Sequence, residues 1–253
     1  MHSAAQQIPL FDDTAEPEAE PSGFRVRVSG RARRLSIKVY PRGTVEVVVP
    51  RRTRARDVRA FVEEHREWIR ATRASFAALH PPEPFRLPQR VVLPGIGRTF
   101  AVRYEPRSGE TGVACRARGE EEIVLTGRTG DARLCVEALK RWLARVAKEA
   151  FAPRLRLLAA TTGNSYKRLR VAGQKTCWGS HSGTGTLSLN YCLLFLEPAL
   201  VRYLMIHELC HARHMNHSRR FWALVRRFEP DYRRLDRQLA ESWRDIPAWV
   251  GIY

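Results

Sequence analysis

Apolar and polar residues alternate in three short stretches near the N-terminus, and the spacing then becomes helical. The alternating stretches are residues 24–28, 35–40 and 45–49. A period of two predicts a β-strand in each of them. Between Val58 and Leu79 apolar residues recur every three or four positions, which predicts one amphipathic helix. The proline-rich segment 81–84 ends that helix and begins a linker.

Strand and helix patterns follow one another in the rest of the chain. In chain order they predict strands at 90–104 and 113–125, a helix at about 131–160, strands near 168–171 and 186–192, and helices from 198, at 218–228 and at 231–243. This arrangement is typical of the α+β class. We expect four regions: a disordered acidic tail at 1–22, a β-hairpin and helix region at 23–80, a strand-rich region at 81–130 and a helix-rich core at 131–253.

The charge of the chain is strongly positive and unevenly distributed. Its 253 residues include 44 lysines and arginines against 26 acidic residues, a net charge of +18. Residues 1–22 contain five acidic residues and no basic one, so the rest of the chain carries +23. Such an excess favours a polyanionic partner, nucleic acid above all, because bound cations release counterions from phosphates. Solvated arginine-rich helix faces are the alternative explanation.

Three features predict a cytoplasmic protein that does not enter a membrane. The five cysteines are an odd number without CxxC spacing, which indicates reduced thiols. No basic segment followed by an apolar one stands at the N-terminus, so we expect no signal peptide. The longest apolar run, residues 191–196, is too short to cross a bilayer.

The most specific chemical pattern is an HExxH sequence formed by His207, Glu208 and His211. Histidines four residues apart lie about 40° apart around a helix, so both imidazoles leave the same face. Neutral imidazole binds Zn²⁺, and catalytic zinc keeps one position open for water beside three protein ligands. The pattern therefore predicts one Zn²⁺ per chain that activates water, with Glu208 as the general base that takes its proton.

Two histidines compete for the place of the third ligand. His214 lies on the same helix face as His207, but seven residues of unbroken helix separate them by about 10 Å. His217 can reach the same ion if the helix breaks after His211. Asn216 tolerates a left-handed C-cap, and Ser218 can cap the next helix. We therefore expect His217 to be the third ligand.

Further segments extend this pattern well beyond the histidines. They are QKTCWGS at 174–180, LSLN at 187–190 and MNHSRRFW at 215–222. With them, the chain from about 24 to 243 resembles the YgjP-like zinc metallopeptidase family, which is related to the SprT-like proteins. The resemblance implies a zincin-like core within 131–253 and a protein or peptide substrate. It also implies that His207, His211 and His217 bind zinc and that Glu208 is the catalytic base.

The chain departs from the family pattern at two positions. Cys177 stands where the family usually has arginine, and His181 stands where it usually has cysteine. Two ligands are too few for a second metal site, so we expect a local repacking. The glycine of HExxHxxGxxH proteases is replaced by His214, and no methionine follows Met215. These differences argue against the metzincin group.

Four residues near the motif are candidates for contacts with the substrate. The strand at 186–192 is interpreted as an edge strand that could bind a substrate backbone, with Asn190 facing the cleft. A hydrogen bond from Asn190 to a neighbouring loop is the alternative. Trp178 is a candidate for the floor of the cleft, with core packing as the alternative. Tyr203 or Tyr232 could stabilise an oxyanion, and the sequence does not choose between them.

A short apolar segment interrupts the acidic tail at residues 7–11. Gln7, Leu10 and Phe11 are similar to the peptide with which bacterial proteins dock on the replication sliding clamp. Chance hydrophobic residues in a polar tail are the alternative. Docking on a clamp would place the protein near DNA.

Two other functions use the same metal site. One is a metal-dependent nucleotide phosphohydrolase, such as a nucleoside triphosphate pyrophosphatase, with arginines binding the phosphates. Neither a glycine-rich phosphate loop nor a carboxylate-rich divalent site accompanies it in the sequence. The other is a DNA-binding module in which the zinc is only structural.

Overall fold

The computed structural model describes residues 23–30, 32–39, 43–79, 86–174 and 177–250. The chain forms two compact units, residues 1–82 with 253, and residues 83–252. The clamp-like segment 7–11 and the proline-rich linker 81–84 lie outside the described residues. The four region boundaries expected from the sequence stay predictions.

The N-terminal unit consists of a three-stranded sheet and two helices. Its elements are β1 (Phe24–Val28), β2 (Ser36–Val39), β3 (Val45–Val49), α1 (Ala55–Glu64) and α2 (Arg66–Leu79). β3 is the central strand, parallel to β1 and antiparallel to β2. Its valines Val47 and Val49 form the core of this unit with Val58 of α1.

The prediction of a single helix from Val58 to Leu79 is wrong, because the helix is interrupted at His65. The chain leaves helical geometry there, with φ −100° and ψ 11°. The His65 imidazole Nδ1 lies 2.9 Å from the Phe61 carbonyl oxygen, which also accepts the backbone N–H of His65. His65 is therefore the C-cap of α1, and α2 begins at the next residue.

The first sheet of the C-terminal unit is formed by four strands in the order β4-β5-β7-β6. They are β4 (Arg90–Leu93), β5 (Arg98–Pro106), β6 (Val113–Arg118) and β7 (Glu122–Gly127). The two long strands predicted at 90–104 and 113–125 are therefore each broken into two. Gly97 and Gly119 have φ of 65° and 69°, a left-handed conformation that glycine adopts at no steric cost, and both lie in the turns.

A long helix, α3 (Ala132–Thr162), follows this sheet. Asp131 caps its N-terminus by accepting hydrogen bonds from the backbone of Arg133 and Leu134, and Gly163 ends it in the left-handed conformation. Its apolar face includes Leu139, Trp142 and Leu143, all buried. The helix packs against β6, against the second sheet and against the helix that carries the HExxH residues.

The second sheet contains β8 (Arg168–Ala172), β9 (Gly179–His181) and β10 (Thr186–Asn190). β10 lies in the middle, parallel to β8 and antiparallel to β9. The interpretation of the 186–192 segment as an edge strand is therefore wrong. In the described sheet β9 is an edge, and residues 191–195 form a short 3₁₀ turn instead of continuing β10.

The last three α-helices include the one that carries the HExxH segment, and the other two pack against it. They are α4 (Pro198–Cys210), α5 (Arg219–Phe228) and α6 (Tyr232–Glu241). α4 packs against α3, α5, α6 and β9, so it lies inside the unit. The α+β class predicted from the sequence is confirmed. Within the described ranges no helix is both long and apolar enough to cross a membrane.

Gly95 offers a test of how the four-stranded sheet of the C-terminal unit packs against the 3₁₀ turn at residues 191–195. A Cβ at position 95 would lie 2.7 Å from the Leu193 carbonyl oxygen and 3.1 Å from that of Leu194. Because both neighbours are backbone atoms, they cannot rotate away. We expect Gly95→Ala to lower the free energy of unfolding by about 1–3 kcal/mol in urea titrations.

The matched control is Gly183→Ala, because a Cβ at position 183 would meet no heavy atom within 4 Å. That variant should retain the wild-type stability. Equal stability of both variants would contradict the close approach at Gly95.

Candidate metal centre

The buried helix α4 carries the HExxH residues into the interior. Pro198 occupies its first turn, as the sequence predicts, since the missing N–H is not needed there. Apart from the histidines, nearly every residue of the second half of α4 is buried. His207 and His211 leave the same face, and their ring centroids are 5.1 Å apart.

The turn that follows the end of α4 brings His217 next to His207 and His211. The helix ends at Cys210, a tight turn follows, and Ser218 caps α5 by accepting a hydrogen bond from the Phe221 N–H. The predicted cap by Ser218 is confirmed. The left-handed conformation suggested for Asn216 is wrong, because no described residue other than glycine has a positive φ. His211, the first residue after α4, has φ −64° and ψ −17°.

Three imidazoles converge where α4 ends. The ligand atoms offered by His207, His211 and His217 all lie within 4.8 Å of one another. The Nε2 atoms of His207 and His217 are 3.1 Å apart. Two nitrogens bound to one tetrahedral ion at 2.0–2.1 Å would be about 3.3 Å apart. The cluster therefore fits a single divalent ion, and imidazole nitrogen suits zinc among such ions.

Two of the three rings are oriented by their other nitrogen. His211 Nδ1 lies 2.9 Å from the backbone oxygen of His214, so its N–H donates there and Nε2 is left for a metal. His207 Nδ1 lies 3.4 Å from the Tyr203 hydroxyl, and that hydroxyl donates to Asp236 at 2.7 Å. His214 thus contributes its backbone, and its side chain is not in the cluster.

The surroundings keep the imidazoles of His207 and His211 neutral, which is the form that binds a metal. Burial, and after it charge repulsion from His211 and His217, lowers the pKa of His207 to about 3. Burial also lowers the pKa of His211. The aromatic ring of Phe221 stacks on His211 at a centroid distance of 4.5 Å. At neutral pH the ring nitrogens are therefore available to a cation.

Glu208 is the buried carboxyl group of the site. Only 4% of its surface is exposed, and among the described residues its Oε2 has no hydrogen-bond partner. Burial raises its pKa to about 8 in the absence of a cation. A buried carboxylate oxygen without a partner is costly unless something else satisfies it, and a metal-activated water would do so.

Gly179 of β9 makes room for this carboxyl group. A Cβ at position 179 would lie 2.8 Å from Glu208 Oε1 and 2.9 Å from its Cγ. The backbone of β9 can therefore approach Glu208 only because residue 179 is glycine. The sequence shows this glycine, but the three-residue strand is too short for a period to reveal it.

The two positions that depart from the family pattern do not form a second metal site. Within the described residues the only group that could hold an ion is the histidine cluster. His181 is buried, and its Nδ1 lies 2.6 Å from the Glu208 backbone oxygen. Its ring therefore ties β9 to α4, a contact that the sequence analysis missed.

Asn190 and Trp178 are both buried, which favours the structural alternatives. Asn190 is fully buried and donates to the backbone oxygens of Gln174 and Cys177, while its own oxygen accepts from the Cys192 N–H. Trp178 donates its indole N–H to the Leu239 oxygen and stacks on Trp243 at 3.9 Å. Their substrate-binding roles stay predictions without support from these contacts.

The two tyrosines differ in what their hydroxyls contact. Tyr203 is fully buried, and burial together with the hydrogen bond to Asp236 raises its pKa, so it stays protonated. Its hydroxyl is directed at His207 and Asp236. Tyr232 stacks on Trp222, and its hydroxyl accepts from Arg233. Asp236 was not predicted, since nothing in its local sequence marks it.

Comparison with known proteins agrees with this geometry. The family model described as YgjP-like, metallopeptidase domain, matches residues 33–242. Neither a curated protein nor a solved structure matches the chain. The matched span contains both the histidine cluster and Glu208, and it covers most of the sequence. The chain therefore belongs to the YgjP-like metallopeptidase family.

Proposed function

We propose that this protein is a zinc-dependent peptidase in which His207, His211 and His217 hold one Zn²⁺ and Glu208 is the general base. The observation that carries the proposal is the convergence of three imidazoles beside a buried carboxyl group whose Oε2 has no hydrogen-bond partner among the described residues. The family supports hydrolysis of a peptide or protein. A structural zinc has four protein ligands, whereas three are present among the described residues.

Each residue has a distinct part in hydrolysis. The bound ion supplies Lewis-acid polarisation of the scissile carbonyl and lowers the pKa of water. Glu208 accepts the proton of the attacking water through Oε2 and then passes it to the leaving amine. The apolar surroundings that raise the pKa of Glu208 make its carboxylate a stronger base toward the attacking water. Gly179 keeps the space in which this carboxyl group lies.

A polyanionic partner is proposed as well, with α5 as its contact surface. Arg219, Arg220, Arg226 and Arg227 are exposed, and no described carboxylate pairs with any of them. The two pairs are seven residues apart, so they share one face of the helix. This face begins two residues after His217, which would bring a bound nucleic acid close to the metal centre. Docking on a sliding clamp through residues 7–11 stays a prediction.

The first test is the reaction itself. Glu208→Gln should keep one zinc per chain by elemental analysis but lose about 10²–10⁴-fold in the rate of peptide hydrolysis, because the amide cannot take a proton. His211→Ala should lose both zinc and activity. The substrates are an unfolded protein, a DNA-bound protein and nucleoside triphosphates.

The matched control is Glu197→Gln, which makes the same change at the other end of α4, where the side chain caps nothing. It should retain full activity. Undiminished turnover by Glu208→Gln would exclude the assigned base. Hydrolysis of nucleoside triphosphates alone would replace the peptidase by the phosphohydrolase.

The second test uses the stability of the metal-free protein. Burial raises the folded-state pKa of Glu208 from 4.5 to about 8, so the folded chain binds this proton more tightly than the unfolded chain. The resulting stability is present below pH 4.5 and is lost as the pH rises through about 8. Since glutamine does not ionise, the free energy of unfolding of Glu208→Gln should be about 2–4 kcal/mol higher than that of the wild type at pH 8.5. The two should be equal near pH 4.5. Chemical unfolding of both proteins across this range measures the difference, and a difference independent of pH would contradict the burial of an ionisable group.

The third test concerns nucleic acid. Binding to a single-stranded or duplex oligonucleotide should weaken steeply with salt, and replacing Arg226 and Arg227 by glutamate should weaken it further at fixed salt. Arg116→Glu with Arg156→Glu reverses the same number of charges elsewhere on the surface. Equal weakening by the two double variants would show that net charge alone matters and would remove α5 as the contact surface.

A further inference from the structure

A chain of polar contacts leads from the metal cluster to α6. The His207 Nδ1 lies 3.4 Å from the Tyr203 hydroxyl oxygen, and that oxygen lies 2.7 Å from Asp236 Oδ1. Tyr203 lies one turn before His207 on α4, so both side chains leave the same face. Asp236 comes from the middle of α6, which packs directly on α4.

The direction of each hydrogen bond follows from the chemistry of its ends. A carboxylate oxygen accepts, so the Tyr203 O–H donates to Asp236 Oδ1. The lone pairs of the Tyr203 oxygen are then left for His207, and the donor can only be the Nδ1–H. This places the proton of the neutral imidazole on Nδ1 and leaves the Nε2 lone pair free. That Nε2 is the atom 3.1 Å from His217 Nε2.

We propose that Tyr203 and Asp236 are positioning residues that hold the ring and the tautomer of His207 for the metal ion. Asp236 acts through Tyr203, because its carboxylate contacts the hydroxyl and not the imidazole. His211 obtains the same help from the His214 backbone, which no side-chain substitution removes. His207 is therefore the ligand whose orientation depends on two replaceable side chains.

The burial of Tyr203 supports this role over a contact with the substrate. The residue is fully buried, so its hydroxyl is out of reach of a substrate carbonyl. A buried hydroxyl needs a partner, and Asp236 alone would satisfy its donor. The oxygen nevertheless also faces the imidazole of a metal ligand. Outer contacts of this kind fix a histidine ligand and increase its basicity.

The inference rests on the metal site of the proposed function but not on its reaction. Zinc affinity is therefore measured by competition with a chromogenic chelator, without any substrate. Tyr203→Phe should bind zinc about 10–100-fold more weakly than the wild type. Asp236→Asn should lose less zinc affinity than Tyr203→Phe, because the Tyr203 hydroxyl still faces His207. The double variant should equal Tyr203→Phe, since Asp236 acts only through the tyrosine.

Two control variants separate this role from general loss of stability. Tyr104→Phe removes a tyrosine hydroxyl that donates to the Pro88 oxygen far from the cluster in sequence, and Glu241→Gln neutralises another carboxylate of α6. Both should keep the wild-type affinity. Asp236 is exposed, so Asp236→Asn is expected to fold even if Tyr203→Phe does not.

Nitrogen-15 NMR of the metal-free protein gives a second readout. The wild-type His207 should show a single tautomer with the proton on Nδ1, and Tyr203→Phe should show a mixture of the two tautomers. Wild-type zinc affinity in both variants, additive losses in the double variant, or an unchanged tautomer in Tyr203→Phe would each overturn the proposal. Loss of peptide hydrolysis with unchanged zinc affinity would count against the proposed function instead.

Discussion

The metal centre depends on the burial of α4 on almost all sides. Removing water from His207 and His211 disfavours their charged forms, so the imidazoles stay neutral and able to bind a cation. The same removal of water raises the pKa of Glu208. One physical effect therefore prepares both the ligands and the base. It also makes the empty site unfavourable, since a buried carboxyl oxygen without a hydrogen-bond partner and crowded nitrogen lone pairs would both gain partners from a cation and water.

The residues close together in sequence were predictable because helix geometry places them. The spacing of His207 and His211, the proline at the start of α4 and the serine before α5 all describe local structure. His217 followed from excluding a continuous helix, which is an argument about rise per residue. The detail of the turn was not predictable, and Asn216 does not adopt the conformation suggested for it.

The remaining parts of the site come from distant elements. Asp236 reaches Tyr203 only because α6 packs on α4, and a carboxylate in an amphipathic helix looks like any solvated residue. β9 has three residues, too few to show alternation, and without it β10 was interpreted as an edge strand. In each case tertiary contacts decide what the local pattern leaves open.

The stacking of Trp178 on Trp243 shows that the segment after α6 belongs to the core of the C-terminal unit. Beyond the residues matched by the family, Ile246, Trp249 and Val250 are buried, and Trp249 meets Phe195 edge-on at 6.1 Å. A protein shortened to the matched span would uncover apolar surface beside the 3₁₀ turn that follows β10. The natural limit of this folding unit therefore lies at least eight residues past the limit that similarity alone suggests.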